Sequence, residues 1–344
     1  MKKIIFATIS ALIVLGTAAC SNGTAANATT TNEKSAGSEL ETSEGSPQIV
    51  IAATGLQQDQ FTNVLMNGYQ SKADELGIKI LLANSQLSPD KESEMINNFL
   101  EAGVQGIIIE PVNPDASAAM AELAAARGIP VFACAIPINS DVIFASSIND
   151  NYDLGTSTGQ GALKFLEKTF GKEQEIKCAI LAYDSADPTG SQGRISGFQD
   201  QVTEFNFNYV ARQDVTTDNA YQVVTDIITA NPDLNLIYSA SENGLIGSYN
   251  AIKAAGKEGQ IFVVGVDCSA QICDMMLDDT NIIQVTTAQA PYEQGEYAVQ
   301  TVYDYIVSGK EPEEAHLKLE GILVTREDEN GIKEFKENWE NRSK

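Results

Sequence analysis

Residues able to do acid–base or nucleophilic chemistry are few and poorly spaced for it. The chain has one histidine, His316, beside Glu313 and Glu314, so a histidine relay is excluded as the organising mechanism. A Gly-x-Ser-x-Gly elbow is absent. Gly171, Gly256 and Gly309 are each followed by Lys and then Glu, which rules out a phosphate-binding loop. Gly155, Gly159 and Gly161 lack the dinucleotide spacing and read instead as close packing along one helix. Asp184 and Asp187 share a loop, where a solvated turn explains them as well as a carboxylate pair does. Cys268 and Cys273 fit no zinc spacing; with Cys134 and Cys178 they are expected as buried free thiols. No catalytic residue, metal or cofactor is therefore expected.

What the chain does offer is uncharged amides, hydroxyls and single acids. They gather at residues 54–60, 110–114, 133–139, 183–192, 239–244, 267–270 and 287–292. That inventory suits a neutral, polyhydroxylated molecule. The elements between these loops alternate. Strands are expected at residues 49–53, 78–83, 106–109 and 129–134, with helices at 61–76, from Pro89 to just before Gly103, and at 115–127. The second half repeats the plan, with strands at 178–182, 208–211, 236–239, 261–266 and 282–286. Short branched runs separated by amphipathic helices mean parallel strands covered on both faces. Such sheets bind ligands beyond their carboxyl ends, where these loops lie. Asn67-Gly68-Tyr69-Gln70 and Ser196-Gly197-Phe198-Gln199 echo one another, each read as part of the first helix of its half. Two similar α/β lobes are expected.

The start of the chain is of another kind. Lys2 and Lys3 precede an apolar run over residues 4–15 and then small residues, the plan of a secretory signal peptide over residues 1–19. Small residues ending in Cys20 resemble the lipobox of bacterial lipoproteins, which implies cleavage before Cys20 and lipidation of its thiol. Residues 20–47 then read as a lipid-anchored flexible linker with almost nothing to bury. The expected location is the outer face of the cytoplasmic membrane. The formal charge of −25 argues against nucleic acid and against anionic lipid surfaces as partners.

The chain from Gln48 to Glu327 resembles the type I solute-binding proteins of bacterial ABC importers, in the ribose- and galactose-binding branch. The resemblance rests on the order and spacing of several short motifs. These are Asp59-Gln60-Phe61, Asn67-Gly68-Tyr69-Gln70, Gly106-Ile107-Ile108-Ile109-Glu110-Pro111, Gly128-Ile129-Pro130-Val131, Asp150-Asn151-Tyr152, Gly193-Arg194 with Gly197-Phe198, Val264-Gly265-Val266-Asp267, and Ala288-Gln289. It implies two lobes joined by three crossing strands near residues 149–150, 289–290 and 321–324, closing on ligand like a hinge. Residues 48–149 and 290–321 would form one lobe, and residues 150–289 and 322–344 the other.

Carried over by position, the resemblance assigns Phe61 to stack on a sugar face. Asp59 and Asp267 accept hydroxyl protons, and Gln289 both donates and accepts; Glu110 stands where ribose binders have asparagine and is expected to accept from the lobe opposite Asp267. Gln192 stands where the family has its usual ligand arginine, which leaves Arg194 between holding loops and reaching ligand. Ser241, with Asn243 nearby, occupies the place of an asparagine. Ala135 and Ile136 replace the Asp-Arg pair of ribose binders, which argues against ribose itself. The expected ligand is another monosaccharide or a polyol; the alternative is a non-sugar ligand, either nucleoside-like or carrying an amine paired to Glu110. The expected partner is an ABC permease, served by a monomer. A sensor presenting its closed form to a membrane kinase is the alternative.

Overall fold

The structure, a computed structural model, describes residues 48–344; the expected leader, Cys20 and the linker lie outside the described residues. Strand β1 (Val50–Gly55) opens a regular alternation. It continues through α1 (Gln60–Leu76), β2 (Lys79–Asn84), α2 (Pro89–Glu101), β3 (Gly106–Ile109), α3 (Ala118–Ala126), β4 (Val131–Ala135) and β5 (Ile143–Asn149). Next come α4 (Asn151–Thr169), β6 (Ile176–Ala182), α5 (Pro188–Gln201), β7 (Phe207–Asp214), α6 (Ala220–Ala230), β8 (Leu236–Ser239) and α7 (Glu242–Ala254). The remainder is β9 (Phe262–Val266), α8 (Ala270–Leu277), β10 (Ile283–Ala288), α9 (Pro291–Ser308), β11 (His316–Leu319), β12 (Ile322–Thr325) and α10 (Glu329–Arg342).

The strands form two six-stranded sheets, ordered β11-β5-β4-β3-β1-β2 and β12-β10-β9-β8-β6-β7. The chain passes between them after β5, after β10 and between β11 and β12. Period-two alternation buries both faces of each sheet. In the first, Ile51, Ala53 and Ile108 pack with Leu65 of α1 and Val299 of α9. Ala52, Ile107 and Ile109 point the other way, against Ile96 and Phe99 of α2 and Ala121 of α3. In the second sheet, Ala179 and Leu181 face Val224 and Leu245, while Cys178 and Ile180 face Leu166 and Phe198.

The first sheet is wholly parallel, and in the second β12 alone runs antiparallel, beside β10. The cause is topological: β11 runs parallel to β5, and the chain passes directly from β11 into β12, entering the second sheet from the opposite end. Helix α3 starts three residues later than expected, because the Asn113 side chain accepts the N–H groups of Asp115 and Ala116 and holds a turn there. Helix α4 precedes the Ser196–Gln199 motif, so α5 is the second helix of its half, not the first.

Two helix pairs pack through reciprocal glycines. A Cβ on Gly155 would lie 2.0 Å from the Arg194 carbonyl oxygen, and one on Gly197 would lie 2.1 Å from that of Tyr152, which fixes α4 against α5. Gly68 and Gly295 do the same for α1 and α9, where a Cβ would meet the Tyr292 and Leu65 carbonyls at 2.3 and 2.5 Å. The four cysteines of the described residues are free and buried. Among these residues no helix is long and apolar enough to cross a membrane.

Candidate functional site

The carboxyl ends of β6, β8, β9 and β10 converge on one carboxylate. Asp267 follows β9 with φ of 80°, the left-handed region that non-glycine residues rarely adopt. Its backbone is pinned there: the N–H donates to the Thr287 carbonyl at 2.9 Å, and the Thr286 hydroxyl donates to the Asp267 carbonyl. Asp267 Oδ2 accepts from Arg194 Nη1 at 3.0 Å and from the Glu242 N–H at 3.2 Å. Oδ1 accepts from Gln289 Nε2 at 2.8 Å. Asp267 thus caps α7, not α8, the helix that follows it in sequence.

Arg194, 7% exposed, reaches this point from α5. Its Nε donates to Asn151 Oδ1 and its Nη1 also donates to the Ala240 carbonyl, each at 2.9 Å. The guanidinium lies over the Tyr183 ring, 5.0 Å from its centroid. Burial works against its charge, but Asp267 beside it, together with Tyr183 and Tyr238, outweighs that and holds the guanidinium protonated. Arg194 therefore ties together α4, α5 and the exits of β6, β8 and β9.

Ser241 stands at the start of α7 yet makes no cap bond; its Oγ is buried and has no hydrogen-bond partner among the described residues. Glu242, next to it, accepts from the Ser269 hydroxyl. Burial pushes the Glu242 carboxyl above the usual range, against the Ser269 bond, with Asp267 and then Asp59 adding to the rise. Asp59 caps α1 on the other sheet, so acids from both sheets lie within electrostatic reach. Asn243 accepts from Thr217 Oγ1 at 3.1 Å. Gln192 is exposed and donates to Ser196 one turn along its own helix at 2.9 Å. Neither joins the Asp267 cluster.

On the side of the first sheet, Asp59 caps α1, its Oδ1 accepting from the Thr62 N–H at 2.8 Å, and its other oxygen accepts from the Gln57 side chain. Phe61 is half-buried against the core between α1 and the sheet. Glu110 follows β3 and is 1% exposed. Its Oε2 accepts from the Leu56 N–H at 2.7 Å, and its own N–H donates to Thr54 Oγ1 at 2.9 Å. Burial pushes its carboxyl up to about 8; the Leu56 and Thr62 bonds oppose this, and Asp59 adds to it. Ala135, at φ of 64°, is the centre of a γ-turn closed by the Ile136 N–H on the Cys134 carbonyl at 2.7 Å. No charged side chain emerges at this turn.

A cavity of about 280 Å³ lies elsewhere, between the β12 crossing and α10, lined by residues such as Tyr292, Leu323 and Trp339. Of the residues expected at the site it touches only Gln289. The Asp267 cluster, with its convergent polar groups, is the better candidate. Glu242, Asn151 and Tyr183 were not anticipated. Glu242 and Tyr183 lie inside the 239–244 and 183–192 loops and Asn151 inside a quoted motif, so position pointed to all three, but nothing in the sequence gave their partners.

The periplasmic binding protein domain pattern matches residues 49–311. The D-apiose import binding protein of Actinobacillus succinogenes is 26% identical over 290 residues, covering 83% of this chain and 91% of that protein. The ribose import binding protein RbsB of Escherichia coli is 25% identical over 264 residues, covering 76% and 85%. Among solved structures, a galactofuranose binding protein superposes with a TM-score of 0.75 at 19% identity, over 86% of this chain and all (100%) of that one. With a family pattern spanning most of its length and two sheets joined as described, the chain belongs to the periplasmic binding protein domain family.

Proposed function

We propose that this protein is the extracytoplasmic binding lipoprotein of an ABC importer. It captures a monosaccharide or related polyol between two lobes, residues 48–149 with 290–321 and residues 150–289 with 322–344. Hinge closure then presents the cargo to a membrane permease, and the compound is released unchanged. The observation that carries this reading is the Asp267 cluster. A strained carboxylate is fixed by Arg194 and Gln289 beside the buried, unpartnered Ser241 hydroxyl, which is the preorganised polar surface that a hydroxylated ligand needs. The apiose and ribose importer relatives support a sugar or polyol as the class of ligand.

In this reading Asp267, Gln289 and Ser241 meet ligand hydroxyls from one side and Asp59 and Glu110 from the other, where Phe61 stacks on the apolar face of the sugar. Arg194 holds Asp267 in place, and Ala135 leaves room where ribose binders carry a charged pair. Gln192 and Asn243 stand at the rim. Cys20 carries the lipid, and the linker lets a monomeric binding unit move between capture and delivery. A thermal-shift screen against pentoses, hexoses and polyols tests the function. A true ligand at a hundredfold excess over Kd stabilises the native state by about 2.7 kcal/mol. Absence of any shift across the panel, with folded protein, contradicts it.

A further inference from the structure

The turn that carries Asp267 leads into α8, yet its polar side chains serve α7. Asp267 caps α7 through the Glu242 N–H, and the Ser269 hydroxyl donates to the Glu242 side chain. Ser269 is the N-cap residue of α8 but makes no side-chain bond to its own helix. The third helical position holds Ile272, which has no polar group to bond back to the cap. Besides backbone bonds, what holds the helix start is a contact between two thiols. Cys268, just before the cap, meets Cys273, at the fourth helical position, with the sulfurs 3.7 Å apart. Side chains at these two places commonly pack on one another at helix starts. Cys268 is 4% exposed and Cys273 is fully buried. The other two described thiols contact oxygens instead: Cys134 lies against Ser147 Oγ and the Gln294 carbonyl, and Cys178 against the Ala179 carbonyl.

We propose that Cys268 and Cys273 are a disulfide site, and that the bond is a covalent clamp holding the Asp267 turn on α8. A disulfide needs about 2.05 Å between its sulfurs, so the two must close by about 1.7 Å from where they stand. Cys268 is joined directly to Asp267, whose φ of 80° is kept by contacts to β10, Arg194 and Gln289 on one side only. The clamp fixes the other side. Its effect on affinity rests on the sugar-and-polyol reading above; the bond itself does not.

The oxidant is a disulfide compound met as the chain folds outside the cytoplasm. One cysteine thiolate attacks its disulfide and expels one sulfur as a thiolate. The second cysteine thiolate then attacks the protein sulfur of the mixed disulfide and expels the other. The two cysteines are oxidised, the oxidant is reduced to two thiols, and the protons the cysteines lose end on those thiols. Both cysteines are accessible while the chain is unfolded. In the folded protein burial holds the Cys268 thiol well above its ordinary range, and Cys273 beside it adds to the rise. Thiolate is then scarce and enclosed. The bond therefore forms during folding and is afterwards shielded from reductants.

The experiment is refolding of the reduced, denatured full chain in a mixture of oxidised and reduced glutathione, beside the same chain refolded in reductant alone. Both samples are treated with iodoacetamide and read by peptide mass analysis. In the glutathione sample the peptide carrying Cys268 and Cys273 is expected to be lighter by two hydrogens and to resist alkylation until it is reduced. Without the bond the midpoint of thermal unfolding falls by about 3 °C or more. The compound giving the largest thermal shift binds about threefold or more weakly to the reduced protein. Cys268→Ala gives one midpoint under both conditions. Alkylation of both cysteines in the glutathione sample overturns the inference, as does a bond that pairs either with another cysteine. A bond that leaves the midpoint or the affinity unchanged overturns the clamp. If no compound binds in either state, the sugar-and-polyol reading falls, while mass and midpoint still decide the disulfide.

Discussion

Arg194 and Asp267 form one unit: Nη1 stands 3.0 Å from Oδ2, with the arginine 7% exposed and the aspartate held at φ of 80°. Each explains the other. The guanidinium is tolerated in the interior because the carboxylate is there, and the strained turn persists because the guanidinium, Gln289 and the start of α7 all grip the same side chain.

Removing the arginine therefore damages stability as well as binding. Arg194→Ala leaves Asp267 without its cation and five elements without their common tie. The expected loss is about 3 kcal/mol of unfolding free energy, read by urea denaturation. A loss below about 0.5 kcal/mol would show that the pair is no more than a solvated contact.

The reciprocal glycines make a sharper packing prediction. Gly155→Ala forces a methyl group to 2.0 Å from the Arg194 carbonyl oxygen, so α4 and α5 must separate, at a cost of about 1–3 kcal/mol. Gly171→Ala meets nothing within 4 Å, but the residue sits at φ of 65°. Its cost is confined to the backbone, about 1 kcal/mol. The expected thermal ranking is wild type, then Gly171→Ala, then Gly155→Ala.

Glu110 gives the protein a pH-dependent stability. Its carboxyl titrates near 4.5 when unfolded and about 8 when folded, so the folded state holds the proton more tightly. The stabilising contribution is complete below about pH 4.5 and is lost progressively as pH rises toward 8, at no more than about 1.4 kcal/mol per unit. Glu110→Gln stays neutral throughout. The difference in stability between variant and wild type should therefore shift in favour of the variant from pH 5 to pH 8 in chemical denaturation. A difference independent of pH would place the carboxyl in the ordinary range.

Trp339, the only tryptophan, reports on the crossing region. Helix α10 packs against α8 of the second sheet. Its end reaches the first: the Asn67 side chain donates to the Arg342 carbonyl at 2.8 Å, and Arg342 pairs with Glu293 of α9 at 2.6 Å. Trp339 is buried and stacks on Phe335 at 5.9 Å. A rotation of one lobe on the other must alter the Arg342 contacts to α1 and α9, one turn along the helix from Trp339. Saturating ligand is expected to change tryptophan emission, and Trp339→Phe to abolish the signal. Unchanged emission on binding would mean that α10 moves with both lobes as one body.

Much of the fold was legible because its central strands are continuous branched runs, such as Ile107-Ile108-Ile109, flanked by helices with clear caps. The strands missed have other compositions. In β5, Ser146 and Ser147 are buried by pairing rather than by apolar character: Ser146 meets His316 Nδ1 of β11 at 3.0 Å, and Ser147 donates to the Gln294 carbonyl at 3.3 Å. In β11, His316 and Lys318 give no run at all. Asp267 and Gln289 were assigned from position, and the structure brings them together. Glu242 was not, because its surroundings come from Asp267, Ser269 and Asp59, which no local pattern connects.

The central claim is that the Asp267 cluster binds a sugar or polyol, and calorimetric titration of wild type and Asp267→Asn with the compound giving the largest thermal shift tests it most directly. The account predicts saturable one-to-one binding by wild type and at least a tenfold weaker affinity in the variant, with native circular dichroism in both. Equal affinity in the two proteins would contradict it.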